Sequence, residues 1–384
     1  MMIYYFKNTF KIAAVFWLLA LGVMAQNTPK YAGYRGGFDI GSQGVKLSIV
    51  GFYYQKDRLK YRLVYDRQET VGLIKGMETN GGKLRPADVQ DAVAFVQEMM
   101  EDAKTVYKLQ NKDFIIYASS GVNIAPNITD LDAQAQKILG MRVNVNMPAK
   151  TEATYGARAG LAREDFDSAI LVDVGGGNTK GGILQKYIAA DGRERYTFKS
   201  YNIEFGARRL SERMAKRSSN TEQYNAILKQ MVEDTIAPLI RSSLNDNPEI
   251  RSATRSIIYL TGGAAYQFIT WFVPEKVTEE IIEFKYSNLQ DFYYMLLSAN
   301  GWADWETRKF DDVKDEKLRE LMTRDHQKAT QKVYNRDACL AGMSLVLQAV
   351  KEIGNPDRKT FYFTRDAYWI NTLVYDTYKN DFKK

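Results

Sequence analysis

Two stretches of this chain carry the same glycine-rich pattern at matching positions. That repetition narrows the folds open to it more than any other feature. Phe38-Asp39-Ile40-Gly41-Ser42-Gln43-Gly44-Val45-Lys46-Leu47-Ser48-Ile49-Val50 reads as strand, tight turn and strand. Ile170-Leu171-Val172-Asp173-Val174-Gly175-Gly176-Gly177-Asn178-Thr179-Lys180-Gly181-Gly182-Ile183-Leu184 reads the same way. Laid over one another without a gap, at an offset of 134 residues, Asp39 falls on Asp173, Gly41 on Gly175, Lys46 on Lys180 and Ile49 on Ile183. The pattern implies a duplicated hairpin, one in each of two domains. Glycine in such a turn lets backbone N–H groups crowd around an anion, because no Cβ blocks the approach. An aspartate ending the preceding strand does not bind phosphate itself, but it can hold Mg²⁺ or its water shell, and the metal then bridges to phosphate oxygens. Two such hairpins facing each other across a cleft would grip one phosphate chain from both sides, with Ser42, Gln43, Asn178 and Thr179 as neutral donors. Lys46 and Lys180 add charge, although lysines on hairpins usually point to solvent.

Composition limits the chemistry around these turns. The only cysteine, Cys339, excludes an internal disulfide and a cysteine zinc site, and the only histidine, His326, leaves no histidine cluster for a metal and argues against a Ser-His-Asp triad. Carboxylates, hydroxyls, backbone amides and a hard divalent cation remain. The formal net charge of +7, which becomes +5 without the two lysines of residues 1–25, favours an anionic ligand mildly, but it is too small and too dispersed to argue for nucleic acid. Residues 1–25 read as a secretory signal: Lys7 and Lys11 precede an apolar run from Ile12 to Ala25, and Val23-Met24-Ala25 has the small-x-small character of a cleavage site. The expectation is an exported, bacterial periplasmic protein beginning at Gln26, with no stable membrane span after cleavage. The alternative is an uncleaved anchor. No cysteine follows the expected cleavage point, so a lipid anchor there is not expected.

The length of 384 residues suits two domains. Periodicity and turn signals predict a strand over 61–65, a helix over 86–107 with Pro86 in its first turn, a strand over 113–118 and a helix over 129–139 stopped by Gly140. Residues 142–146 alternate like a strand, and 150–161 read as a helix. After the second hairpin come expected helices over 206–216, 221–244 and 277–282. A buried strand from Ser256 runs into the Gly262-Gly263 turn, and 337–353 forms an apolar helix. Strands alternating with helices imply α/β layers. The resulting division is a signal over 1–25, a first domain over 26–160, a second over 161–354 and a tail over 355–384, whose aromatic residues (Phe361, Tyr362, Phe363, Tyr368, Trp369) are expected to be buried.

Asp39-Ile-Gly-Ser-Gln-Gly, Asp173-Val-Gly-Gly-Gly-Asn-Thr and Tyr259-Leu-Thr-Gly-Gly-Ala, in that order, resemble the sugar kinase/Hsp70/actin superfamily. Four further stretches resemble the exopolyphosphatase and guanosine pentaphosphate phosphohydrolase (Ppx/GppA) family: Ala118-Ser119-Ser120-Gly121, Thr151-Glu152-Ala153-Thr154-Tyr155-Gly156, Phe205-Gly206-Ala207-Arg208-Arg209-Leu210-Ser211-Glu212, and Arg336-Asp337-Ala338-Cys339-Leu340-Ala341-Gly342. The resemblance implies an α/β, two-domain actin-like ATPase (ribonuclease H-like) fold with its site in the interdomain cleft. It also implies hydrolysis of the terminal phosphate of polyphosphate or a nucleotide polyphosphate, with Mg²⁺ or another divalent metal. Carried over by position, it makes Glu152 the catalytic residue that activates water. Gly41, Ser42, Gln43, Gly175, Gly176, Gly177, Asn178, Thr179, Arg209, Gly262 and Gly263 become the phosphate-binding set, and Asp39 and Asp173 the metal ligands. A homodimer is compatible with it.

Three changes, one of them a pair of residues, depart from the family pattern. Lys180 stands where the second hairpin usually ends in glutamate, Asn123 where an arginine is common, and Gln43-Gly44 where Asn-Ser is usual. The leading reading is an exported exopolyphosphatase-like phosphohydrolase. The alternative is a non-catalytic phosphate- or nucleotide-binding or scaffold protein that keeps the fold and has lost turnover, and an ATP-dependent kinase is the third.

Overall fold

Branched and aromatic residues alternate with glycine, serine and charged residues along 31–70, which is the period-two pattern of strands with two unlike faces. The computed structural model describes residues 29–383 apart from Val333 and Asp366, so the expected leader lies outside the described residues. In it β1 (Tyr31–Gly41), β2 (Gly44–Gln55) and β3 (Arg58–Thr70) form an antiparallel meander, and β4 (Phe114–Ala118) adds in parallel to β1, giving the order β3-β2-β1-β4. Helices α1 (Pro86–Tyr107) and α2 (Thr129–Leu139) cover one face of this sheet. Pro86 opens α1 with its φ already fixed for a helix, and Gly140 closes α2 at φ 64°. Val89, Ala92, Val93, Val96, Met99, Met100 and Ala103 form the buried stripe of α1 at helical spacing.

The chain then forms α3 (Ala149–Gly160) and repeats the plan. Strands β5 (Ala169–Val174), β6 (Thr179–Ile188) and β7 (Glu194–Ile203) make a second meander. Helices α4 (Ala207–Ala215), α5 (Thr221–Met231) and α6 (Ala237–Asn245) follow, the last two joined through a π-helical turn at Val232–Ile236. Next come β8 (Ile257–Thr261), α7 (Gly262–Phe272), β9 (Ile281–Phe284), α8 (Tyr286–Leu297), α9 (Gly301–Glu306), α10 (Glu316–Gln327), α11 (Arg336–Ile353), β10 (Thr360–Thr364) and α12 (Trp369–Tyr378). The second sheet has the order β7-β6-β5-β8-β10-β9. Its first four strands repeat the first sheet, with β5 to β7 antiparallel and β8 parallel to β5. The duplication read from the hairpins therefore extends to a whole four-stranded unit.

Two local expectations change. The helix expected over 277–282 is instead a turn leading into the edge strand β9. Ile281 and Glu283 face solvent while Ile282 and Phe284 are buried, so the period is two and not that of a helix. Residues 142–146 form one isolated bridge, Tyr117 to Asn144, in place of a strand.

The two sheets are joined by exchanged helices. Helix α3 follows the first sheet in the chain but packs on the second, where Ala153 and Ala157 meet Ala169, Leu171, Leu184, Phe198 and Tyr259. Helix α12, in the tail, returns to the first sheet, where Trp369, Ile370, Leu373 and Val374 meet Val50, Phe52 and Met147. The two helices also pack on one another. At Gly37 a Cβ would collide with Ile370 and Val374, so the close approach of α12 to β1 needs glycine there. No helix among the described residues is long and apolar enough to cross a membrane.

This packing makes α12 a structural member of the first domain. Ile370 is fully buried, so Ile370→Ala should cost about 2–5 kcal/mol by the usual penalty for truncating a buried isoleucine. Urea unfolding with equal slopes for both proteins would measure it, and a loss below about 0.5 kcal/mol would mean that α12 is not seated on β1.

Candidate functional site

Side-chain alternation decides which residues reach the space between the sheets. In β5, Ile170, Val172 and Val174 enter the core of the second domain, so Leu171 and Asp173 face α3. In β1, Phe38 and Ile40 enter the core under α1 and α2, so Asp39 between them faces α12. Each aspartate is in direct register with the lysine of its own hairpin, Asp39 with Lys46 and Asp173 with Lys180. Directly opposed residues in an antiparallel pair share a face, so Lys180 does not point to solvent as expected of a hairpin lysine. It is only 4% exposed.

The Lys180 ammonium is the centre of the arrangement. Its Nζ lies 2.9 Å from Asp173 Oδ2 and 3.1 Å from Glu152 Oε1. A third, weaker contact reaches Asn178 Oδ1 at 3.5 Å. Burial by itself would lower the affinity of this amine for its proton, but Asp173 and Glu152 more than offset it and hold its pKa above the ordinary lysine value. Glu152 sits in the first turn of α3, after Pro148, and its Oε2 accepts a hydrogen bond from the Ser120 amide at 2.7 Å. The Ser120 hydroxyl accepts one from Asn178 Nδ2 at 2.9 Å. One network thus runs from the loop after β4, through α3, to the second hairpin.

Asp39 approaches the same network from the other sheet. Its Oδ2 accepts from the Trp369 indole at 3.1 Å, and its Oδ1 has no partner among the described residues. Burial pushes its pKa up to about 6, opposed by Lys46, reinforced by the Glu152 charge and opposed again by Lys180 and the indole. Gln43 Nε2, in the turn of the first hairpin, is likewise buried without an acceptor. An unmatched buried acceptor and donor on one hairpin are costly alone and suit a polar ligand.

The two hairpins face one another. A Cβ at Gly176 would strike Ser42 and Gln43, and one at Gly177 would strike the carbonyl of Gly121. The second turn is braced from behind: Gly175 N donates to Asn178 O at 3.0 Å, Thr179 Oγ1 to Phe205 O at 2.7 Å, and the Ala207 and Arg208 amides at the start of α4 to the carbonyls of Gly175 and Gly176. Gly262, at φ 85°, backs directly on Asp173, whereas Gly263 lies against the Tyr334 hydroxyl. Gly41 stands beside Asp39 and Ser119. Arg209 is held elsewhere. Its Nε donates to Glu78 Oε1 at 3.0 Å and its Nη1 to the Glu204 carbonyl at 2.7 Å. Arg213 also pairs with Glu78, and Glu212 accepts from the Gly76 amide, so α4 clasps the Met77–Thr79 turn of the first domain. The sequence reading gave Lys180 as added hairpin charge and as a departure from the family pattern but not as a buried member of the site, and it missed Ser120 and Trp369. Register with Asp173 was the signal for Lys180; Ser120 lay inside a quoted motif, and nothing local marked Trp369.

The residues present do not fit a divalent metal. Such an ion wants several carboxylate or carbonyl oxygens turned toward one point. Asp173 and Glu152 instead turn toward the ammonium, and Asp39 turns one of its oxygens to the Trp369 indole. Among the described residues no group of three or more His, Cys, Asp or Glu side chains could hold a metal ion.

The chain resembles known proteins at two levels. The family model described as the Ppx/GppA phosphatase family matches residues 53–258, more than half of the chain. A crystal structure of the Aquifex aeolicus Ppx/GppA family member shares 16% identity at a TM-score of 0.57, covering 91% of this chain and 99% of that one. An exopolyphosphatase-like protein shares 15% identity at a TM-score of 0.64, covering 91% and 98%. An exopolyphosphatase from Cytophaga hutchinsonii shares 13% identity at a TM-score of 0.62, covering 90% and 98%. No curated protein matches the chain in sequence. The α/β two-domain fold expected from the motifs is the one these structures share with this chain.

The raised pKa of Asp39 has a measurable sign. The folded chain keeps a proton on Asp39 up to about pH 6, whereas the unfolded chain releases it near 3.8. Stability from this group is therefore full below about pH 4 and is lost as pH rises to about 6. Asp39→Asn keeps an acceptor for Trp369 and cannot ionise. Urea unfolding across pH 4–7 should show the wild type losing on the order of 2–3 kcal/mol relative to the variant. A constant difference across that range would contradict the burial of this carboxyl.

Proposed function

Because the chain belongs to the Ppx/GppA phosphatase family, we propose that its cleft hydrolyses the terminal phosphoanhydride bond of inorganic polyphosphate or of a nucleotide polyphosphate. The observation that supports this is the network that ties Glu152 to the second glycine hairpin, against which the turn of the first hairpin packs closely at Gly176. In this reading the amides of the Ser42–Gln43 and Gly176–Asn178 turns, with Gln43 Nε2, receive the phosphate oxygens, and glycine keeps the approach open. Ser120 and Lys180 fix the Glu152 carboxylate. A carboxylate has about four lone-pair sites and these contacts occupy two, so Glu152 keeps acceptor capacity for a water. It takes the proton of that water as the oxygen attacks the terminal phosphorus and the bridging P–O bond breaks, so that the shortened chain leaves with the bond's electron pair on its new terminal oxygen. The Lys180 ammonium and the turn amides stabilise the charge that spreads onto the phosphoryl oxygens. Export to the periplasm, read from residues 1–25, would place the reaction on extracytoplasmic substrate.

A second reading, a phosphate- or nucleotide-binding protein without turnover, is favoured by one contact: the ammonium 3.1 Å from Glu152 Oε1 stabilises the carboxylate and weakens it as a base. Phosphate release from polyphosphates and nucleoside polyphosphates by the chain from Gln26 separates the two. Under the hydrolase reading Glu152→Gln lowers the rate about 10²–10⁴-fold while polyanion binding persists. Equal, negligible release by both proteins with binding intact would establish the binding protein instead.

A further inference from the structure

Lys180 is a cation that the fold itself supplies to a set of carboxylates drawn from separate parts of the chain. Glu152 comes from α3, Asp173 from β5 and Asp39 from the other sheet. The ammonium bridges the first two at 3.1 and 2.9 Å, is 4% exposed and is held protonated by them. Bridging carboxylates from different elements beside a phosphate-binding turn is the position a divalent ion would need. Here that position is filled by a side chain that cannot leave.

We propose that Lys180 is the resident cation of the cleft, standing in place of a divalent metal, so that the cleft takes its phosphate chain without one. The proposal rests on reading the cleft as a phosphate site, but its central claim concerns cation occupancy and can be tested without substrate. Charge supports it. Without Lys180 the carboxylates of Asp39, Glu152 and Asp173 would meet an incoming polyanion with Lys46 as the cation opposite Asp39. Exchanging the ammonium for a carboxylate changes the local charge by two, the amount one divalent ion supplies. A lysine carries less charge than Mg²⁺, yet it needs no dehydration and its position is fixed by the Asp173 register. Anchoring at both carboxylates also orients Glu152, because the carboxylate is gripped from one side by the ammonium and from the other by the Ser120 amide.

The test is Mn²⁺ binding followed by electron paramagnetic resonance on the chain from Gln26, with wild type, Lys180→Glu, Lys180→Met and Asp173→Asn. Wild type should hold no stoichiometric Mn²⁺. Lys180→Glu, or Lys180→Met should the first fail to fold, should gain one site. A second arm measures binding of fluorescently labelled long-chain polyphosphate in EDTA and in Mg²⁺. Wild-type affinity should be the same in both. Lys180→Met should bind at least about tenfold more weakly in EDTA, as for loss of a charge-assisted contact, and Mg²⁺ should recover part of the loss. A single Mn²⁺ on the wild type that disappears in Asp173→Asn overturns the proposal, as does a folded Lys180→Glu, or a folded Lys180→Met used in its place, that gains no metal. If no protein binds polyphosphate in either buffer, the reading of the cleft fails, while the Mn²⁺ arm still decides the role of Lys180.

Discussion

The molecule depends on one packing constraint. Each sheet must cover a second, inner face, and the helix that covers it comes from elsewhere in the chain. Helix α3 leaves the first sheet to lie on the second, α12 returns from the far end to lie on the first, and the two pack against each other. The site is assembled from what these helices carry. Glu152 is on α3, and Trp369, which holds Asp39, is on α12. A two-domain chain joined by a linker alone could place two hairpins in rough opposition. Exchanged helices fix them relative to one another, because sliding either helix would expose apolar surface on the sheet it covers and on the other helix.

Small residues set how near the halves come. Gly37 admits α12, while Gly176 and Gly177 admit the turn of the first hairpin and the loop after β4. The polar counterpart is the clasp of α4 on the Met77–Thr79 turn, in which Arg209 and Arg213 share Glu78 and Glu212 takes the Gly76 amide. That clasp lies partly in solvent, where ion pairs contribute little to stability. The buried triad at Lys180 is a different case. Removing one member of a buried pair leaves an uncompensated charge and costs several kcal/mol, about 3–5 in measured examples. The same three groups therefore bear on stability and, in the function proposed for the cleft, on its chemistry.

Much of the architecture was legible because it is local. The hairpins announce themselves through glycine at turns and alternation along strands. Pro86 and Gly140 mark helix ends through their own backbone preferences. The β9 segment was misread because four residues with two isoleucines satisfy either period, and only its edge pairing with β10 resolves them. The importance of Glu152 came from resemblance, since an acidic residue in a first helical turn is ordinary on its own.

By itself the amino-acid sequence determined that there would be two like units, that each would end a strand in aspartate before a glycine turn, and that a lysine would stand across from it. Turn chemistry and strand parity act over a handful of residues and leave those outcomes little freedom. Only the tertiary structure decided that Lys180 would be buried between Asp173 and Glu152, that Arg209 would be spent on Glu78, and that Asp39 would meet an indole 330 residues away. Those outcomes turn on which distant faces exclude water together, and no short stretch of sequence carries that information.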